Sequence, residues 1–142
     1  ALAEIITKAQ TNGYYQDLRE RFTTQRDTLY RGLYAAGLNP ILSSGGYYLV
    51  CETKDLVKPL KIDIENTSED ALGTVIAEEI THQIGVAGIP VSEFFINEHK
   101  KHGNTLIRFA YCKNLPTLER GCERLLAFRS QLDSSNKTDT TE

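Results

Sequence analysis

The chain has 142 residues, 40% hydrophobic and 25% charged, with a formal net charge of −3, which is enough chain for one domain with a buried core. A pI near 5.7 leaves no basic excess to drive counterion release, so nucleic acid is not expected as a partner. The apolar runs fall far short of the roughly 20 residues a membrane span needs, so the expectation is a soluble domain with no membrane partner.

Residues 1–10, ALAEIITKAQ, have the composition of a helix end, and Thr11-Asn12-Gly13 is a turn signal. From Tyr14 to Ala36 the apolar positions Leu18, Phe22, Leu29 and Leu33 recur at helical spacing, with Arg19, Glu20, Arg26 and Asp27 elsewhere around the cylinder. This predicts a long amphipathic helix that stops at Gly37. Asn39-Pro40 predicts a turn into a short strand at Ile41-Leu42, and Ser43 to Gly46 a second break. Tyr47 to Cys51 then has strong β-propensity. Residues 52–68, with several charges and Pro59 but no sustained period, predict a surface excursion.

Thr67 or Ser68 can cap the next helix, with Glu69-Asp70 in its first turn and Leu72, Val75, Ile76, Ile80 and Ile84 on its apolar face. Gly85 ends it, Val86 to Ile89 predicts a strand closed by Pro90, and residues 92–104 predict a polar loop. Thr105 to Tyr111 is the clearest strand in the chain. Asn114 can cap a last helix with Pro116 in its first turn and Leu118, Cys122, Leu125 and Leu126 facing inward. The polar residues 133–142 predict a disordered tail. Helices and strands in this order, without a βαβαβ run, predict an α+β fold: a small, mostly antiparallel sheet covered by helices.

Three cysteines, Cys51, Cys112 and Cys122, without a CxxC pair suggest neither a disulfide framework nor a zinc site, and each is expected to pack as a small apolar residue in a reducing compartment. The glycosylation-type triplets at Asn66 and Asn136 follow no signal segment and read as chance matches. With no methionine anywhere, the chain is expected to begin inside a longer reading frame or to have been processed.

Arg108 is the candidate for chemistry. Side chains alternate along a strand, so Leu106, Arg108 and Ala110 share one face while Ile107, Phe109 and Tyr111 share the other. A guanidinium set among apolar residues needs an anion, because burying an unpaired charge is costly. An Asp or Glu of this chain, a ligand carboxylate held by two parallel N–H···O bonds, or solvent at an exposed edge would each satisfy it. His99 and His102 stand three apart, but Lys100 and Lys101 between them would repel a metal ion, so a solvated loop is expected and no metal. His82 falls among polar helix positions and is expected to be exposed. The glycines of SSGGYY lack the spacing of a phosphate cradle and precede a strand, so they predict a tight turn. The aromatic residues fall mostly at core positions rather than forming a platform for stacked bases.

Gly85 to Phe94, GVAGIPVSEF, and Leu106 to Arg124, LIRFAYCKNLPTLERGCER, closely resemble fold-type-I aminotransferases of the kynurenine aminotransferase and glutamine transaminase K group. Supporting matches run through RFTTQRDTLYRGLYAAGL and SSGGYYLV, leaving only residues 52–68 and the tail outside. The resemblance implies that residues 1–132 form the C-terminal small domain of such an enzyme, with the large domain as a missing partner and a homodimer in the intact protein. It implies a transaminase acting on an amino acid and a 2-oxo acid, of the kynurenine–oxoglutarate or glutamine–phenylpyruvate kind, with cysteine-S-conjugate β-lyase activity in some members and a cytoplasmic or mitochondrial location. Arg108, in the IRF position, would bind the substrate's α-carboxylate, and Phe94 would form an aromatic wall near its side chain. The cofactor would be pyridoxal 5'-phosphate, held in the large domain by a Schiff-base lysine. Lys54, Lys58 and Lys113 match no such segment, so this chain by itself is expected to be inactive, with no catalytic or cofactor-binding residue of its own. The alternative reading is a stand-alone α+β amino-acid-binding or interaction module without catalysis.

Overall fold

The computed structural model describes residues 2–138. Helices α1 (Leu2–Thr11) and α2 (Tyr14–Ala35) are separated at Gly13, whose φ of 82° interrupts the helical path. The stripe of α2 buries Leu29 and Leu33 together with Gln25 and Gly32. The chain leaves α2 as expected, with the N–H groups of Gly37 and Leu38 donating to the carbonyls of Tyr34 and Leu33.

Strands β1 (Asn39–Ile41), β2 (Tyr48–Glu52), β3 (Ile89–Pro90) and β4 (Leu106–Ala110) form one antiparallel sheet in the order β1-β2-β4-β3. Asn39-Pro40, expected as a turn, is the start of β1, and the run expected from Val86 pairs only at Ile89–Pro90. Both prolines lie on edge strands, where a missing N–H costs no ladder bond on the solvent side. Leu49, Cys51, Ile107 and Phe109 point to one face and are buried. Helices α2, α3 (Leu72–Glu79) and α4 (Leu115–Thr138) cover that face, contributing Leu33, Ile76, Leu118 and Leu125 to the same core. The helices therefore cover one side of the sheet, and the side bearing Arg108 stays open.

Residues 52–68 depart from the expected surface excursion. A 3-10 turn at Lys54–Leu56 lets Leu56, Val57 and Leu60 reach the core while Lys54, Asp55 and Lys58 stay outside. The apolar spacing is helix-like but spans too few residues to register as a period. Helix α3 starts at Leu72, after a turn closed by the Ala71 N–H on the Ser68 carbonyl, so neither Thr67 nor Ser68 acts as its side-chain cap. It runs into a π-helical turn, Ile80–Ile84, and stops at Gly85. The expected polar loop 92–104 winds into two 3-10 segments, Val91–Phe94 and Asn97–Gly103.

Helix α4 is capped as expected, the Thr117 N–H donating to Asn114 Oδ1 at 2.9 Å. Leu118, Cys122 and Leu125 face inward, but Leu126 lies off that stripe and is 39% exposed. The helix passes Leu132 and continues to Thr138, into the segment 133–142 expected as a polar tail. The rest of that tail, 139–142, and the N-terminal Ala1 lie outside the described residues.

Candidate functional site

Arg108 sits in the middle of β4, with a strand on each side. Opposite it are Val50 of β2 and Ile89 of β3, and Ile41 of β1 stands opposite Val50. Directly paired residues of an antiparallel sheet share a face, so Ile41, Val50, Arg108 and Ile89 form one row across the uncovered side. The guanidinium carbon lies 4.2 Å from the ring centroid of Tyr48 and 4.2 Å from that of Phe94. Tyr48 stands on the same face of β2, two residues before Val50; Phe94 arrives from the 3-10 turn that follows β3.

No Asp or Glu of the described residues forms an ion pair with Arg108. The pairs Arg26–Asp27, Lys100–Glu93 and Arg129–Asp133 do not involve Arg108. Arg108 Nε is buried and has no hydrogen-bond partner. An unpaired buried donor costs about 1–3 kcal/mol. Two rings return about 0.5–2 kcal/mol each, so the cation is tolerated while its Nε–H stays unsatisfied. A guanidinium held against rings can still offer its edge to a planar anion, as a carboxylate fork requires. The sheet face around it is hydrocarbon and open, with Ile41 58%, Ile89 44% and Phe94 60% exposed.

The other sequence candidates are not brought to this face. His99 and His102 lie 5.8 Å apart on an exposed segment, where Lys100 pairs with Glu93 at 3.8 Å. Among the described residues no group of three or more His, Cys, Asp or Glu gathers. His82 is exposed, as expected. The SSGG stretch is a turn whose Gly46 carbonyl accepts the Tyr111 hydroxyl at 2.8 Å, and β2 follows it. Asn66 is tied to Asp63, its Nδ2 donating at 2.6 Å, while the side chain of Asn136 lies outside the described residues. Cys51 and Cys122 are buried and free as expected, whereas Cys112 is exposed, contrary to expectation, because it lies in the link between β4 and α4. Burial pushes the Cys51 thiol up to about 12, with the nearby Glu52 acting in the same direction. Burial also raises Cys122.

Tyr48 is the residue that sequence reasoning missed. Alternation along β2 places it with Val50, but only the register between β2 and β4 puts it beside Arg108.

The sequence pattern of the family described as Aminotransferase class I and II matches residues 1–125. The chain belongs to that family. It is 30% identical over 135 residues to a kynurenine--oxoglutarate transaminase of Dictyostelium discoideum, covering 91% of this chain and 31% of that protein. It is also 30% identical over 116 residues to kynurenine--oxoglutarate transaminase 1 of Rattus norvegicus, covering 82% and 27%. Among solved structures, Bna3p of Saccharomyces cerevisiae superposes with a TM-score of 0.78 at 26% identity, over 90% of this chain and 30% of that one. N-succinyldiaminopimelate aminotransferase of Mycobacterium tuberculosis superposes at 0.64 with 27% identity, over 87% and 29%. The α+β architecture of this chain, a four-stranded antiparallel sheet with helices, is thus that of a segment of fold-type-I aminotransferases. The chain spans less than a third of the length of the curated relatives it matches.

Enzymes of this family generally use pyridoxal phosphate. The groups around Arg108 do not fit a seat for it. Val50, Ile89 and the two rings offer no amine for a Schiff base, and Lys54, Lys58 and Lys113 are exposed on other elements. Among the described residues no helix is long and apolar enough to cross a membrane.

Proposed function

We propose that this chain is the substrate-carboxylate-binding part of a pyridoxal-phosphate-dependent aminotransferase, with kynurenine, glutamine or a related amino acid as donor and a 2-oxo acid as acceptor. The observation that carries the reading is Arg108: a partly buried guanidinium on an open apolar sheet face, its Nε buried and without a partner. Arg108 binds and orients the α-carboxylate common to donor and acceptor, Phe94 lines the space beside it, and the apolar face excludes water from the bound acid. The cofactor and the proton-moving lysine belong to a large domain elsewhere in the polypeptide, and the intact enzyme is a homodimer. The extent of the relatives supports a further domain, since the matching segment is less than a third of each.

The test is Arg108→Ala in the whole protein, with L-kynurenine and 2-oxoglutarate as substrates. Removing one partner of a buried, hydrogen-bonded charge pair costs about 2–5 kcal/mol, so kcat/KM is expected to fall by roughly 30- to 5,000-fold for donor and acceptor alike. An unchanged kcat/KM removes Arg108 from the site. The visible absorbance of bound cofactor is expected with the whole protein and not with residues 1–142 alone; cofactor absorbance from the short chain would overturn the division of labour.

A further inference from the structure

We infer that Tyr48 is the positioning residue for Arg108: its ring fixes the plane of the guanidinium, and with it the plane in which the substrate's carboxylate must lie. The inference rests on the carboxylate-binding reading above. An arginine side chain has several rotatable bonds, and a free fork loses much of its affinity in becoming ordered. Here one flank is set by the sheet itself. Tyr48 is opposite Ala110, and Val50 opposite Arg108, so the register of β2 on β4 puts Tyr48 on the diagonal from Arg108 on the same face, within reach of a long side chain.

That register is held from the other side of the sheet. Leu49 and Phe109, the pair between those two, are both buried in the core, so the strand cannot slip by one residue without moving them to the open face. The ring then meets the guanidinium carbon at 4.2 Å. Phe94 meets it at the same distance but comes from a short turn and is 60% exposed against 39% for Tyr48. Tyr48 is therefore the flank built into the sheet. The contact is made by the ring face, and no hydrogen bond of the Tyr48 hydroxyl is needed for it, so phenylalanine should serve as well.

The experiment compares Tyr48→Leu, Tyr48→Phe, Arg108→Ala and the Tyr48→Leu/Arg108→Ala double variant in the whole protein. KM and kcat are measured with L-kynurenine and 2-oxoglutarate, and binding of 3-phenylpropionate, a carboxylate without the reacting group, by isothermal titration. Tyr48→Leu is expected to raise both KM values and the Kd for 3-phenylpropionate by about tenfold, the size of a partly desolvated cation–π contact, with kcat within about twofold. Tyr48→Phe is expected to behave like the parent, and the double variant to bind no more weakly than Arg108→Ala, since Tyr48 acts only through Arg108.

With Arg108→Ala binding weakly, three results overturn the role of Tyr48 and leave the carboxylate site standing. They are a Tyr48→Leu protein that binds like the parent, a Tyr48→Phe protein as weak as Tyr48→Leu, and a double variant weaker than Arg108→Ala. If Arg108→Ala itself binds 3-phenylpropionate normally, the carboxylate site fails and this inference with it. Should Tyr48→Leu not fold, the Tyr48→Phe result decides, because loss of affinity there places the hydroxyl on the ligand.

Discussion

The contact between α2 and α4 offers a prediction whose size follows from the geometry. A Cβ added at Gly32 would lie 2.0 Å from Cys122 Sγ and 2.6 Å from Cys122 Cβ. Ordinary carbon contacts need about 3.5–4.0 Å. The thiol could rotate away, but the Cβ–Cβ distance would still be short, so the helices must part by about 1 Å against a well-packed core. Overpacking costs about 1–3 kcal/mol, and two contacts this short put Gly32→Ala in the upper part of that range, about 2–3 kcal/mol, while alanine gains about 1 kcal/mol over glycine in a helix. The net expectation for Gly32→Ala is a loss of about 1–2 kcal/mol, read as a urea midpoint lower by roughly 0.5–1 M for a slope of about 1–3 kcal/mol/M. Cys122→Gly removes both clashing atoms, so the double variant should recover part of the loss and show a coupling of about 1 kcal/mol or more. A Gly32→Ala midpoint equal to or above that of the parent, or strictly additive single effects, would refute the close approach. These helices cover the face opposite Arg108, so the Kd for a carboxylate probe should not change.

Two further outcomes concern the cysteines. In the native protein Cys112, exposed, should react first with a thiol reagent at neutral pH, while Cys51 and Cys122, buried and with raised thiol pKa, react only after unfolding; mass mapping that found Cys51 labelled in the native state would contradict the packing. Cys51 also sets an alkaline limit. Its thiol rises from 9.0 to about 12 on folding, so the unfolded chain ionises first and stability, intact below pH 9, falls as pH climbs towards 12. Cys51→Ala should flatten this decline in urea midpoint between pH 8 and 10, and an unaltered pH slope would show that other groups cause it.

Much of this chain was legible before any coordinates. Period-3.6 stripes on α2 and α4, the alternation of Leu106 to Tyr111, the stop at Gly37 and the cap at Asn114 are local properties, decided by side-chain spacing and backbone conformation within a few residues. Arg108 stood out for the same reason, as a charge in an apolar strand. The misread stretches were those where the deciding partner is distant. Leu56, Val57 and Leu60 look like loop residues until the core they close is present, and Asn39-Pro40 looks like a turn until Cys51 and Glu52 lie beside it.

The composition and local pattern by themselves determined the fold class and the one candidate cation, because both follow from how a residue compares with its immediate neighbours in sequence. Tertiary structure alone decided what surrounds that cation. Helices on a single face leave Arg108 open, no carboxylate of the described chain reaches it, and the register of β2 on β4 brings Tyr48 to its flank. Strand order and register depend on which apolar faces bury together across long stretches of chain, and spacing along one strand carries no information about its partner.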